Sequence, residues 1–292
     1  MSIVRKASFT VPATQRAPWE TLLEERLTED GFIVASCEIS RDGPWRIDVF
    51  GEGDPGQVDA AIAAGAQALG IAVPHWQWEE LPDIDWVAEN QRSFRPFTVG
   101  PFWVHPSHVS EGQSASSIPL RIDAGLAFGT GTHATTRGCL ELLATLDPAN
   151  AIDVGCGSGI LTIAMAKLWR RRIRGGDNDA EAVDVARENA ALNGVGNLCH
   201  FVTAAGLENG EIAAAAPFDL IVANILAGPL VVLAESFAKA TRPGGRILLS
   251  GLLVEQAGFI LAEYRPRGFT VERRVDLETG GAWWRTLLLR KS

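Results

Sequence analysis

The rhythm of apolar and polar positions divides this chain into two parts. Over the first 83 residues, short alternating runs predict strands at Ala7–Pro12, Phe32–Ser40, Trp45–Gly51 and His75–Leu81. The turn Arg41-Asp42-Gly43-Pro44 joins the middle two. Between the strands lie helical patterns. Pro18 suits a first helical turn, and Trp19, Leu22, Leu23 and Leu27 form the apolar face that follows. Gln57–Leu69 reads as an alanine-rich helix. The order β-α-β-β-α-β predicts a small α+β ferredoxin-like domain, a fold that names no function by itself.

The second part has a longer period. Residues 83–94 read as a polar connecting helix anchored by Trp86. Phe97–Val104 and Ser117–Ile122 predict strands, with the Ser- and Gly-rich loop Pro106–Ser116 between them. From Asp123 onward helices and strands alternate, as in a doubly wound α/β sheet. Strands are expected at Ala151–Val154, Ile173–Asp177, Cys199–Thr203, Leu220–Ala223 and Arg246–Ser250. The end differs: Thr270–Asp276 and Trp283–Leu289, separated by Gly280-Gly281, predict an antiparallel pair. The expected domains are therefore 1–83, a connecting segment over 84–96, and 97–292.

The strongest chemical signal is Ile152-Asp153-Val154-Gly155-Cys156-Gly157-Ser158-Gly159-Ile160. An apolar strand runs through alternating glycines into a helix at Ile160–Leu168. Glycine allows positive φ and close approach of a ligand to the backbone. The following helix presents unpaired N–H groups. Asp177 closes the next predicted strand 22 positions after Gly155, where a carboxylate can accept both hydroxyl hydrogens of a ribose. The spacing G-x-G-x-G is one residue shorter than the dinucleotide fingerprint G-x-G-x-x-G, which disfavours an oxidoreductase.

Composition narrows the setting. Hydrophobic content of 47% and charged content of 21% suit a soluble globular protein. No apolar run approaches the roughly 18 residues of a membrane span. The N-terminus lacks the apolar core of a signal peptide. The four cysteines have no metal-like spacing, so a reduced, cytoplasmic protein without a metal site is expected. Charge is uneven. Residues 1–83 carry 6 basic and 14 acidic side chains, a net of −8, while 84–292 carry 20 and 21, a net of −1. An acidic module repels nucleic acid and attracts basic proteins; the same charge also serves solubility. The run Arg170, Arg171, Arg172 and Arg174 suits a helix C-terminus, with RNA contact as the alternative. The nine tryptophans fall mostly at strand positions or beside Pro and Gly, where packing explains them.

Four further segments sharpen the reading: Ala127–Thr136 (AFGTGTHATT), Phe218–Leu226 (FDLIVANIL), Arg242-Pro243-Gly244-Gly245-Arg246, and Gly251–Gln256 (GLLVEQ). With the glycine loop they closely resemble the bacterial methyltransferases of large-subunit ribosomal protein eleven, the PrmA family. The resemblance also reaches Asp85-Trp86 and Phe94-Arg95-Pro96. It is strong over 85–292 and extends only to domain order over 1–84. It implies a Rossmann-like class I methyltransferase domain with a mixed seven-stranded sheet that binds S-adenosylmethionine. It implies a ferredoxin-like domain that holds the substrate, a basic ribosomal protein methylated on lysine side chains and its N-terminal amine. Direct nucleic-acid binding and membrane association are not expected. Carried over, Thr136 belongs to the segment covering the cofactor, Gly155 and Gly157 to the glycine loop, and Asp177 to the ribose. Asn224 stands where the methyl group meets its acceptor. Ala124 and Ala134 replace usual prolines, and Asn178 a usual aliphatic residue.

Asn224 carries its own argument. Methyltransferases of flat amide or base nitrogens have Asn-Pro-Pro-Tyr here, whereas this chain has Asn224-Ile225-Leu226-Ala227. Without the stacking aromatic ring, a flexible aliphatic amine fits better. The alternative is that Asn224 caps a helix starting near Pro229. His133 is a candidate base, or it orders the backbone of its Gly/Thr loop. Two other functions stay open at this point: a methyltransferase of the same build acting on another protein or a small amine, and a non-catalytic cofactor-binding scaffold.

Overall fold

A computed structural model describes residues 4–28, 30–39, 43–80, 95–109, 116–122 and 133–292. The chain forms two compact units, residues 1–86 and 87–292.

The first unit is a four-stranded antiparallel sheet ordered β2-β3-β1-β4. Its strands are β1 (Arg5–Val11), β2 (Ile33–Glu38), β3 (Trp45–Gly51) and β4 (Gln77–Glu80). Helices Arg16–Leu27 and Pro55–Leu69 share one core with it, built on Phe9, Trp19, Leu23, Ile47 and Ile62. The second helix begins where Asp54 accepts the Gly56 N–H (3.1 Å) and Pro55 occupies the first turn. It ends at Gly70, in the left-handed region at φ 66°. The helices approach closely because Gly65 has no side chain; a Cβ there would lie 2.5 Å from the Trp19 ring. The last strand is shorter than its predicted span, pairing only Gln77–Glu80 with Arg5–Ser8. Just before and within it, the Trp76 and Trp78 indoles donate to Asp59 (2.8 and 3.2 Å), which ties this edge to the second helix.

The second unit opens with a small sheet of β5 (Phe97–Val99), β6 (Phe102–His105) and β7 (Ile118–Arg121). Here the single predicted strand Phe97–Val104 is corrected to a hairpin. Gly100 turns the chain at φ 53°, and β5 folds back antiparallel on β6. The connecting helix over 83–94 lies outside the described residues, as do 110–115 of the predicted loop.

The main sheet has seven strands in the order β10-β9-β8-β11-β12-β14-β13. They are β8 (Ala151–Val154), β9 (Ile173–Asp177), β10 (Cys199–Thr203), β11 (Phe218–Asn224), β12 (Thr241–Leu253), β13 (Phe269–Thr279) and β14 (Ala282–Lys291). The first five in that spatial order are parallel; β14 runs antiparallel to them, and β13, antiparallel to β14, resumes their direction. Gly280 and Gly281, at φ 63° and 77°, form the two-residue turn that right-twisted hairpin strands require. Successive residues of β11 serve opposite faces: Leu220 and Val222 enter one apolar cluster, Ile221 and Ala223 the other. From β8 the chain steps outward to β9 and β10, then crosses back to β11. Strand order therefore reverses between β8 and β11, which opens a crevice outside their C-terminal ends.

Candidate active site

The glycine loop begins where β8 ends. Gly155, Gly157 and Gly159 all take positive φ, at 72°, 51° and 78°. The Gly155 and Cys156 N–H groups both donate to the Gly176 carbonyl (2.8 and 3.1 Å). Gly157 N–H donates to Asp177 Oδ2 (2.8 Å), so three hydrogen bonds tie the loop to the end of β9. A Cβ on Gly155 would stand 2.2 Å from Ile225 Cγ2. Beneath the loop, buried Asp153 accepts the Thr162 N–H (3.0 Å) and hydroxyl (2.7 Å), anchoring the first turn of helix Ile160–Trp169. The helix ends at Arg170 in the left-handed region. Arg171 of the basic run pairs with Asp147 and donates to the Pro148 carbonyl (2.9 Å).

A cleft of about 600 Å³ lies over this loop. Thr136, Gly155, Gly157, Asp177 and Asn224 all line it, brought together from four separate stretches of chain. Asp177 uses Oδ2 for Gly157 and Oδ1 for the Asp179 N–H (3.1 Å). A carboxylate has about four acceptor positions, so two remain for ligand hydroxyls. Asn178 borders the same end. The cleft volume, the loop that excludes side chains and the remaining acceptors of Asp177 fit a nucleoside-bearing cofactor.

Across the cleft, Asn224 Nδ2 donates to Thr136 Oγ1 (3.4 Å). Its Oδ1 is shielded from solvent and has no hydrogen-bond partner. The helix Ala227–Val232 is preceded by Leu226 at its cap and receives no side-chain cap, so the capping alternative for Asn224 fails. His133 does cap a helix. Its Nδ1 accepts from the Thr135 N–H (3.4 Å) at the start of Ala134–Leu143 and lies 3.0 Å from the Thr135 hydroxyl. Burial lowers its pKa. The ring is engaged in ordering the backbone, the second of its two sequence readings. Of the covering segment, residues 127–132 and Ala124 lie outside the described residues.

The residue that sequence reasoning missed is Trp284. It lines the cleft and meets His133 edge-on, with ring centroids 4.6 Å apart. Several devices carry it there. Pairing of β12 with β14 shifts by one residue between Leu249 and Leu252, a bulge at Ser250-Gly251. Gly251 takes φ 84°, and a Cβ there would lie 2.2 Å from the Ile225 carbonyl oxygen, so both conformation and space require glycine. Ser250 Oγ donates to the Thr135 carbonyl (3.1 Å) and lies 2.9 Å from Thr286 Oγ1. Thr286 in turn fits against Gly138, where a Cβ would sit 2.3 Å from its hydroxyl. Trp284, two residues from Thr286 on β14, shares its face. The tandem Trp283-Trp284 beside a two-glycine turn was the available signal, but only register decides which ring turns inward.

Among the described residues no cluster of His, Cys, Asp or Glu could hold a metal ion, and no helix is long and apolar enough to cross a membrane.

Comparison with known proteins follows the same lines. A family model described as ribosomal protein L11 methyltransferase (PrmA) matches residues 31–291. A ribosomal protein L11 methyltransferase of Brucella suis is 43% identical over 262 residues, covering 88% of this chain and 90% of its own. One from Rhodopseudomonas palustris is 38% identical over 293 residues, covering 98% and 97%. The crystal structure of a ribosomal protein L11 methylase from Lactobacillus delbrueckii subsp. bulgaricus aligns with a TM-score of 0.59 at 29% identity. That alignment covers 68% of this chain and 100% of that one.

The anchor under the loop is testable through pH. Burial pushes the Asp153 carboxyl up to about 7, against the two hydrogen bonds from Thr162 and with a further push from the Asp177 charge. A folded-state value above the unfolded one of about 3.9 gives stability that is full below about pH 4 and lost as pH rises through about 7. Asp153→Asn keeps an oxygen for Thr162 but cannot ionise. The difference in Tm between variant and wild type should therefore change across this window, with the variant flatter. Parallel Tm curves would mean that another group titrates.

Proposed function

The chain belongs to the ribosomal protein L11 methyltransferase family, and on that premise we propose that it methylates ribosomal protein L11 in the cytoplasm, using S-adenosylmethionine to modify lysine side chains and the N-terminal amine. The observation that carries the choice of acceptor is Asn224. With Nδ2 held by Thr136, its bare Oδ1 is the acceptor that an amine N–H needs. The next residues, Ile225 and Leu226, line the cleft where the Asn-Pro-Pro-Tyr enzymes carry a ring, so no aromatic side chain directly follows Asn224.

The cofactor supplies an activated methyl group on a positive sulfur, so the protein's part is to bind and orient. Asp177 would hold the ribose hydroxyls at one end. The glycine loop lets the cofactor lie against the backbone. Asn224 would receive an amine hydrogen and so orient the nitrogen lone pair for the methyl group that the cofactor would supply. The amine must be neutral to attack, and its free pKa is about 10.4. Apolar walls and a neighbouring positive charge both favour the neutral form. We assign no side chain as general base; His133 keeps its capping role.

The first unit, with a net of −8 over residues 1–83, serves in this reading to recruit the basic substrate. The direct test is mass spectrometry of L11 after incubation with the enzyme and S-adenosylmethionine. Added mass in 14-Da steps on amine sites is expected, roughly one methylene per transfer; unmodified L11 would overturn the reading.

Two substitutions separate binding from chemistry. Asp177→Ala should weaken S-adenosylmethionine binding by about 1.5–3 kcal/mol, the worth of hydrogen bonds to a charged group, as read by calorimetry. Asn224→Ala should depress turnover well beyond any change in cofactor affinity. Unaltered turnover with only a lower Tm would remove Asn224 from the reaction.

Recruitment by charge is screened by salt, with a Debye length of about 8 Å at physiological ionic strength. The KM for L11 should rise with added salt while kcat changes little. A KM flat across salt concentrations would leave the acidity of the first unit to solubility.

A further inference from the structure

The cleft has an end that neither the cofactor motifs nor Asn224 account for. Along its floor the strands run β9, β8, β11, β12, β14. Asp177 closes β9, Gly155 follows β8, Asn224 closes β11, Gly251 sits in β12, and Trp284 stands near the start of antiparallel β14. Asp177 and Trp284 thus belong to strands four steps apart in the sheet, with the strand of Asn224 midway. A nucleoside held at Asp177, with its reacting centre over Asn224, leaves Trp284 on the far, acceptor side.

The indole is not placed there by its polar handle. Buried tryptophans usually pair their N–H. Trp169 donates to the Leu146 carbonyl (2.7 Å), and Trp76 and Trp78 donate to Asp59. Trp19 and Trp284 leave theirs unpaired. Trp19 is fully enclosed in the first unit's core, whereas Trp284 borders an open cleft. What Trp284 contributes to that cleft is apolar ring surface. Leu226, which is 72% exposed, and Pro229 also line the cleft. The cleft thus has apolar surface close to an amide oxygen that lacks a partner, complementary to an amine on a hydrocarbon stem.

We propose that Trp284 is a specificity-determining residue for the acceptor, its indole forming the wall along which the aliphatic stem of the substrate amine lies. This rests on the methyl-transfer reading above. Ser250 and Thr286 hold β14 in the register that turns this ring, and not that of Trp283 (58% exposed), toward the cleft. The ring meets His133 edge-on, with centroids 4.6 Å apart.

The experiment compares Trp284→Ala, Trp284→Phe and wild type on intact L11, with calorimetric affinity for S-adenosylmethionine measured in parallel. Trp284→Ala should raise the KM for L11 about tenfold or more, the worth of two buried methylenes, with cofactor affinity held within about twofold. Trp284→Phe, which keeps a ring, should recover most of the loss. A KM unchanged in Trp284→Ala, or a cofactor affinity that falls in step with it, would overturn the assignment. Should the alanine variant fail to fold, Trp284→Leu against Trp284→Phe carries the same comparison, with the larger KM expected for leucine. Wild type inactive on L11 would overturn the underlying reading; wild type active and matched by the alanine variant would overturn this inference alone.

Discussion

The carbonyl of Gly176 accepts the N–H groups of both Gly155 and Cys156, and the rest of the site hangs from that junction. It fixes where the chain leaves β8 and therefore how the glycines turn. With Asp177 holding the Gly157 N–H, one strand end both shapes the loop and supplies the acid beside it. Ile225 then packs where a Gly155 side chain would stand. The loop and the acceptor strand are thus adjusted to each other at van der Waals distance, and a Cβ at Gly155 would displace both.

The acceptor side depends on a different material. Thr135, Ser250 and Thr286 are each 2% exposed or less and are linked by hydrogen bonds. Buried hydroxyls are stable only when paired, and their geometry leaves little slack. This small lattice joins the helix carrying Thr136 to the strands carrying Gly251 and Trp284. Thr136 in turn holds the amide of Asn224 with its oxygen bare. An acceptor left unpaired in a buried place is costly unless a ligand supplies the missing hydrogen.

Much of this was legible in the chain. The β-α-β-β-α-β order of the first unit, the parallel strands of the second and the closing hairpin all follow from periodicity and turn residues, because those signals are local. The glycine spacing and Asp177 were equally readable: a positive-φ loop and a strand-end acid announce themselves in sequence. Local signals failed at Gly100, where an apolar run from Phe97 to Val104 concealed a reversal. They were also silent on whether Asn224 capped a helix and whether His133 acted as a base.

The sequence by itself determined the elements, their order, the loop chemistry and the family resemblance, since each depends on residues close together in the chain. Only the tertiary structure decided which side chains share the cleft. His133 became a helix cap because Thr135 offered its N–H, and Asn224 gives its amide hydrogen to Thr136, 88 positions away, which leaves its Oδ1 without a partner. Trp284 entered the site through a one-residue bulge opposite β14 and a glycine at 138 that admits Thr286. A strand's side chains change face with every residue, so register, which is a property of the sheet and not of the strand, had to choose between two adjacent tryptophans.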